Sequence, residues 1–143
     1  NYHQILDLYD NQSDWNWIGT DSIIGDVTIA FSPTITAMSL FTFDYAGFIA
    51  TIQTNVVSKQ YLDNTMDENA MLRAYSTTNL HLEYTLPIGK PEIKLLCQIN
   101  NLFDAKYANN GGADASRFAD GSRCTWYFAQ AGINAHAGFV VRW

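Results

Sequence analysis

From Thr78 to Leu86 the chain alternates without a break. Thr78, Leu80, Leu82, Tyr84 and Leu86 fall on one side, and Asn79, His81, Glu83 and Thr85 on the other. Successive side chains of an extended chain point to opposite faces, so this period of two describes a strand with one apolar and one wet face. The pattern returns twice. Ile93, Leu95, Cys97 and Ile99 oppose Lys94, Leu96, Gln98 and Asn100; Ala135, Ala137, Phe139, Val141 and Trp143 oppose Asn134, His136, Gly138, Val140 and Arg142. A looser version keeps Thr51, Gln53, Asn55 and Lys59 together.

Six segments read as strands: residues 1–10, 27–44, 48–60, 72–86, 93–103 and 130–143. Pro33 inside the second lacks an amide donor and marks a rim or bulge. The intervening stretches alternate long, short, long, short, long. Tight turns are expected at Tyr45–Ala46–Gly47 and at Pro87 to Glu92, and long polar loops at 11–26, 61–72 and 104–123. Such alternation suits a sheet whose tight turns all lie on one side of a membrane. Tyr45, Phe48, Tyr61, Tyr75, Tyr84, Phe103 and Tyr107 gather near strand ends, where interface aromatics belong. A soluble antiparallel sheet also alternates, so that fold stays open on periodicity alone.

Composition narrows the choice. Aromatic residues make up 14% of the 143 residues and charged residues only 15%, against roughly 25% charged in a soluble domain. No run approaches the ~18 apolar residues of a spanning helix. With a net charge of −6 and no Lys/Arg cluster, the chain has no electrostatic footprint for nucleic acid. The opening NYHQILDLYD lacks the basic start and apolar core of a signal peptide, so an export signal is expected upstream or already removed. Cys97 and Cys124 lie in different segments and read as unpaired packing residues, although one disulfide is allowed.

The segment FVVRW at the carboxyl end resembles the terminal signal of outer-membrane barrels, with Phe139, Val141 and Trp143 at its positions. Trp143 stands where Phe is usual. INNLFDAKY, Ile99 to Tyr107, is similar to the NNLFD-x-x-Y stretch of TonB-dependent receptors, carried here by Asn101, Leu102, Phe103, Asp104 and Tyr107. IAFSP, VSKQYLDNT, NLHLEYT and QAGINAHAGFVVRW resemble the Bacteroidetes branch in the same order. The resemblance covers most of the chain after Val27; residues 1–26 match less distinctly.

This resemblance implies an antiparallel, all-β transmembrane barrel. Residues 1–143 would form about the last six of twenty-two strands, without the N-terminal plug. It implies TonB-driven uptake of a bulky nutrient (siderophore-bound iron, haem, cobalamin, a glycan or a peptide) across a Gram-negative outer membrane. The implied partners are outer-membrane lipid and the TonB complex, reached through a region outside this chain; the sequence does not decide whether a surface lipoprotein joins them. Trp143 would then be periplasmic and the three long loops extracellular.

Within those loops, Trp15, Trp17, Tyr61, Asp63, Asn64 and Trp126 are the candidate ligand contacts, since aromatic rings stack on sugars, chelates and porphyrins. Rim packing is the competing reading of the aromatic ones. Asp63, Asp67 and Glu68 read as a solvated acidic loop more readily than as a calcium site. His3, His81 and His136 show no ligand spacing, and no G-x-S-x-G, H-E-x-x-H or G-K-[ST] motif occurs. No catalytic residue, metal site or cofactor is expected. A small stand-alone outer-membrane barrel and a secreted soluble β-sheet binding protein remain the alternatives.

Overall fold

In the computed structural model, residues 4–9, 18–23, 27–117 and 123–143 are described, and no helix occurs among them. The strands are β1 (Gln4–Tyr9), β2 (Ile18–Ile23), β3 (Thr36–Tyr45), β4 (Phe48–Val57), β5 (Gln60–Tyr61), β6 (Met71–Leu72), β7 (Tyr75–Thr85), β8 (Glu92–Asn100), β9 (Ala108–Arg117), β10 (Arg123–Ala129) and β11 (Asn134–Arg142). The chain divides into two compact units.

The unit comprising Ile35–Ser58, Ala74–Tyr107 and Ala129–Trp143 holds a five-stranded sheet in the order β11-β8-β7-β4-β3. Every pairing in it is antiparallel, and every neighbour is the next sheet strand along the chain. The β3–β4 connection is a two-residue turn. Ala46 and Gly47 both have positive φ, 50° and 81°, the twist that joins two antiparallel strands without splaying them. Gly89, also at 81°, turns β7 into β8.

Register sorts most of the large side chains by face, with Met38 and Leu40 in the polar rows and the Thr54–Thr78 pair on the apolar face as exceptions. Tyr45, Phe48, Tyr84, Leu95 and Phe139 line up across all five strands, followed by the rows Phe43–Ala50–Leu82–Cys97–Ala137 and Phe41–Ile52–Leu80–Ile99–Ala135. The opposite face carries Thr42–Thr51–His81–Gln98–His136, together with Leu40–Gln53–Asn79 on β3, β4 and β7 and Asn100–Asn134 on β8 and β11. The apolar face is uncovered: Phe41, Phe43, Tyr45 and Phe139 are 65%, 51%, 71% and 72% exposed.

The other unit comprises Asn1–Thr34, Lys59–Arg73 and Ala108–Phe128. It contains three two-stranded pieces, β1–β2, β5–β6 and β9–β10. Among the described residues, the buried apolar side chains lie here: Tyr61, Leu62, Ala70 and Leu72.

Several boundaries differ from the sequence reading. The strand expected over 27–44 begins only at Thr36. Phe31 takes a left-handed φ of 55° and its N–H donates to the Tyr61 carbonyl, which turns the backbone away before Pro33. The strand expected over 48–60 ends at Val57, where Ser58 caps the ladder. Its N–H donates to the Ile35 carbonyl, and its hydroxyl accepts from the Ile35 N–H. Leu72, expected to open the 72–86 strand, instead belongs with Met71 to the separate β6. Gln4–Tyr9, from the first expected strand, pairs with Ile18–Ile23 rather than joining the sheet. Part of the expected loop 104–123 is strand β9.

Candidate functional site

The wet face of the five-stranded sheet is a chain of hydrogen-bonded neutral groups. Gln98 Nε2 donates to Asn100 Oδ1 at 2.7 Å, and Asn100 Nδ2 donates onward to Asn134 Oδ1 at 2.9 Å. Asn100 Nδ2 also lies 3.2 Å from His136 Nε2. Gln53 Nε2 reaches Asn55 Oδ1, and the Thr42 and Thr51 hydroxyls meet at 3.1 Å. Neighbouring strands lie about 4.8 Å apart, which is within reach of amide-to-amide bonds. Nearer the tight turns, Lys94 pairs with Glu83 at 3.2 Å. These rows suit contact with water and polar solutes. Among the described residues no three His, Cys, Asp or Glu side chains group to hold a metal.

At the opposite end from the tight turns, Asn101 ties three segments together. It is 5% exposed and has a φ of 50°, a left-handed conformation that Asn tolerates better than most residues. Its N–H donates to Asn79 Oδ1 at 3.0 Å. Its Nδ2 donates to the Ala105 and Ala131 carbonyls at 3.0 and 3.2 Å, and its Oδ1 accepts from the Ala105 N–H at 2.9 Å. The Leu102 N–H donates to the Thr78 carbonyl. Asp104, also left-handed, accepts from the Ile133 N–H and from Lys106 Nζ. The Lys106 ammonium, then the Ile133 amide, hold the Asp104 carboxyl below its ordinary range. Tyr107 stacks on Tyr75 with ring centroids 4.4 Å apart, and Phe103 stands exposed. The NNLFD-x-x-Y stretch is therefore a clamp that closes β8 and aligns the approach to β11.

In the 59–73 segment, Tyr61 is buried and its hydroxyl donates to Glu68 Oε1 at 2.6 Å. Lys59 Nζ sits 2.7 Å from the same oxygen and 5.3 Å from the Tyr61 ring centroid. The hydrogen bond with Lys59 lowers the Glu68 carboxyl and raises the Lys59 ammonium from their ordinary values. Asp63 Oδ1 accepts from the Thr65 backbone and hydroxyl, an Asx turn. Asn64 Oδ1 accepts from the Ala30 N–H at 2.8 Å. In the β9–β10 hairpin, a Cβ on Gly112 would fall 2.3 Å from the Trp126 ring and one on Gly111 2.5 Å from the Trp126 carbonyl oxygen. Two adjacent glycines thus let the indole lie against the backbone of β9, with Trp126 47% exposed.

Of the ligand contacts expected from sequence, Tyr61, Asp63 and Asn64 share one segment and are occupied in holding it together. Trp126 keeps an open side. Trp15 and Trp17 lie outside the described residues. Phe139 and Val141 fall on the apolar face, and Trp143 is nearly fully exposed. Cys97 and Cys124 are free thiols. Sequence reading missed Asn79 and Glu68 as partners; the left-handed preference of Asn was the available signal for Asn101. No family model, no curated protein and no solved structure matches the chain.

Proposed function

We propose that the chain is barrel wall from the C-terminal part of a TonB-dependent receptor in a Gram-negative outer membrane, serving uptake of a bulky nutrient rather than catalysis. The observation that carries this reading is the sorting of the five-stranded sheet into an uncovered apolar face and a hydrogen-bonded polar face. A sheet with large aromatics exposed on one side loses roughly 25 cal/mol for each Å² of that surface left in water. Lipid removes that penalty without a second layer. On β4 the apolar face runs from Phe48 to Val56, about 27 Å along the strand. At a tilt of about 40° this crosses about 21 Å, close to the ~25 Å apolar band of outer-membrane barrels.

Strand direction favours a piece of a larger wall over a small stand-alone barrel. Four successive antiparallel pairings leave β3 and β11 running the same way. They cannot close on each other as an antiparallel pair, so closure needs an odd number of further strands. At least three are required to reach the eight of the smallest common barrels. With Trp143 periplasmic, the turns at Gly47 and Gly89 are periplasmic. The clamp at Asn101, at the other end of the sheet from those turns, then faces outward.

The test is to sequence the coding region upstream of Asn1 and to fractionate cells that produce the whole protein. A plug, further amphipathic strands and an outer-membrane location support the receptor reading. A start codon or signal peptide directly before Asn1, or a chain that dissolves without detergent, sinks it.

A further inference from the structure

We infer that Asn110–Gly111 in β9 is a self-modification site: the Gly111 nitrogen closes on the Asn110 side chain, and the product shifts the glycines that seat Trp126. This holds whether or not the chain is barrel wall. Asn110 is exposed, and its Oδ1 accepts from the Gly111 N–H at 2.7 Å. Because Oδ1 and Cγ are about 1.2 Å apart, the nitrogen lies at most about 3.9 Å from the carbon it attacks. A near-attack separation is about 3–3.5 Å, so a small rotation suffices. Of the chain's asparagines, Asn110 alone is followed by glycine, which sets no Cβ beside the approaching nitrogen. Among the described residues β9 pairs with β10 alone, so one side of its backbone is held by a ladder and the other is not.

Packing keeps glycine at 111. A Cβ there would fall 2.5 Å from the Trp126 carbonyl oxygen, 3.3 Å from the Tyr127 ring and 3.4 Å from a Leu62 methyl. The hairpin thus demands the residue that most favours ring closure. Hydroxide removes the Gly111 amide proton, and the nitrogen bonds to Asn110 Cγ. Nδ2 takes a proton from water and leaves as ammonia, which regenerates hydroxide and leaves a succinimide ring. A water molecule then opens the ring. Its attack at Cγ gives aspartate at position 110; attack at the backbone carbonyl carbon gives isoaspartate, whose main chain runs through Cβ and is one carbon longer. Both products exchange a neutral amide for a carboxylate, and the isoaspartate also displaces Gly111 and Gly112. The Trp126 ring lies so close to Gly112 that an added Cβ would be 2.3 Å from it, so a backbone shift there moves the indole.

The test holds the whole protein, in detergent micelles, in warm and mildly alkaline buffer and samples it over days. Tryptic cleavage after Lys106 and Arg117 releases residues 107–117, and mass spectrometry with isoaspartyl methyltransferase labelling reads the change. The expected result is conversion at Asn110 at least about 10-fold faster than at Asn109, and within about 10-fold of the rate in the isolated 107–117 peptide. An Asn110 that survives in the folded protein while the peptide converts overturns the inference, since the strand then holds the nitrogen off the carbon. Equal rates at Asn109 and Asn110 do the same. In a Trp15→Phe/Trp17→Phe/Trp143→Phe background, Trp126 emission should drift as product accumulates and stay constant once Asn110→Gln is added. Conversion with constant emission overturns the coupling to Trp126.

Discussion

Replacing Asn101 with alanine removes the side chain that joins the end of β8 to residues 105 and 131. The two bonds to Ala105 are made at a half-buried position and contribute about 1 kcal/mol each. The bond to Ala131 is to an exposed residue whose carbonyl water can reach, so its loss costs about 0.5 kcal/mol. Alanine must also hold the φ of 50°, at about 1 kcal/mol. The expected destabilisation is about 3.5 kcal/mol. Asn101→Gly loses the same bonds but not the backbone strain, so it should fall short of the alanine variant by about 1 kcal/mol. Urea unfolding of the whole protein in micelles, followed by tryptophan fluorescence, reads both. Two variants within about 0.5 kcal/mol of the parent would refute the clamp. Equal losses in both would refute the assigned strain.

On the sheet, Phe41→Lys, opposite Ile52 at the middle of the apolar band, should lower stability in lipid by about 2–4 kcal/mol, while Thr51→Lys, on the polar face, should stay within about 1 kcal/mol; equal effects in a vesicle folding assay would contradict the face assignment. Ala46→Gly should stabilise the β3–β4 turn by about 0.5–1 kcal/mol in the same unfolding assay, because the turn needs positive φ there. Gly111→Ala should cost more than Gly112→Ala: the first meets a carbonyl oxygen that cannot swing away, the second a half-exposed ring that can, and Trp126 fluorescence should report the ring's shift. For the Lys59–Glu68 pair, the lowered Glu68 carboxyl contributes stability that is present above its ordinary 4.5 and lost as pH falls through the folded value. The raised Lys59 ammonium contributes below its ordinary 10.5 and is lost as pH rises through the folded value. Protection of amides 60–72 should therefore be flat between these limits, and Glu68→Gln should abolish the acid-side loss.

What the sequence by itself determined is the sheet's two-faced character. The alternation at 78–86, 93–100 and 134–142 is a local property of successive residues, and the strands β7, β8 and β11 fall within a few residues of where it places them. The turns at Gly47 and Gly89 were legible for the same reason, since a tight reversal demands glycine-like backbone within a few residues. What only the tertiary structure decided involves partners far apart in the chain. Asn101 finds Asn79 and Ala131, 22 and 30 residues away. The Ala30 amide finds Asn64, 34 residues away, and that contact helps end the expected second strand early. The 104–123 stretch shows no apolar alternation, yet contributes β9, whose glycines admit the Trp126 ring from the facing strand. A polar, glycine-rich sequence becomes strand only when a neighbour supplies its hydrogen bonds and fills the space that its missing side chains leave.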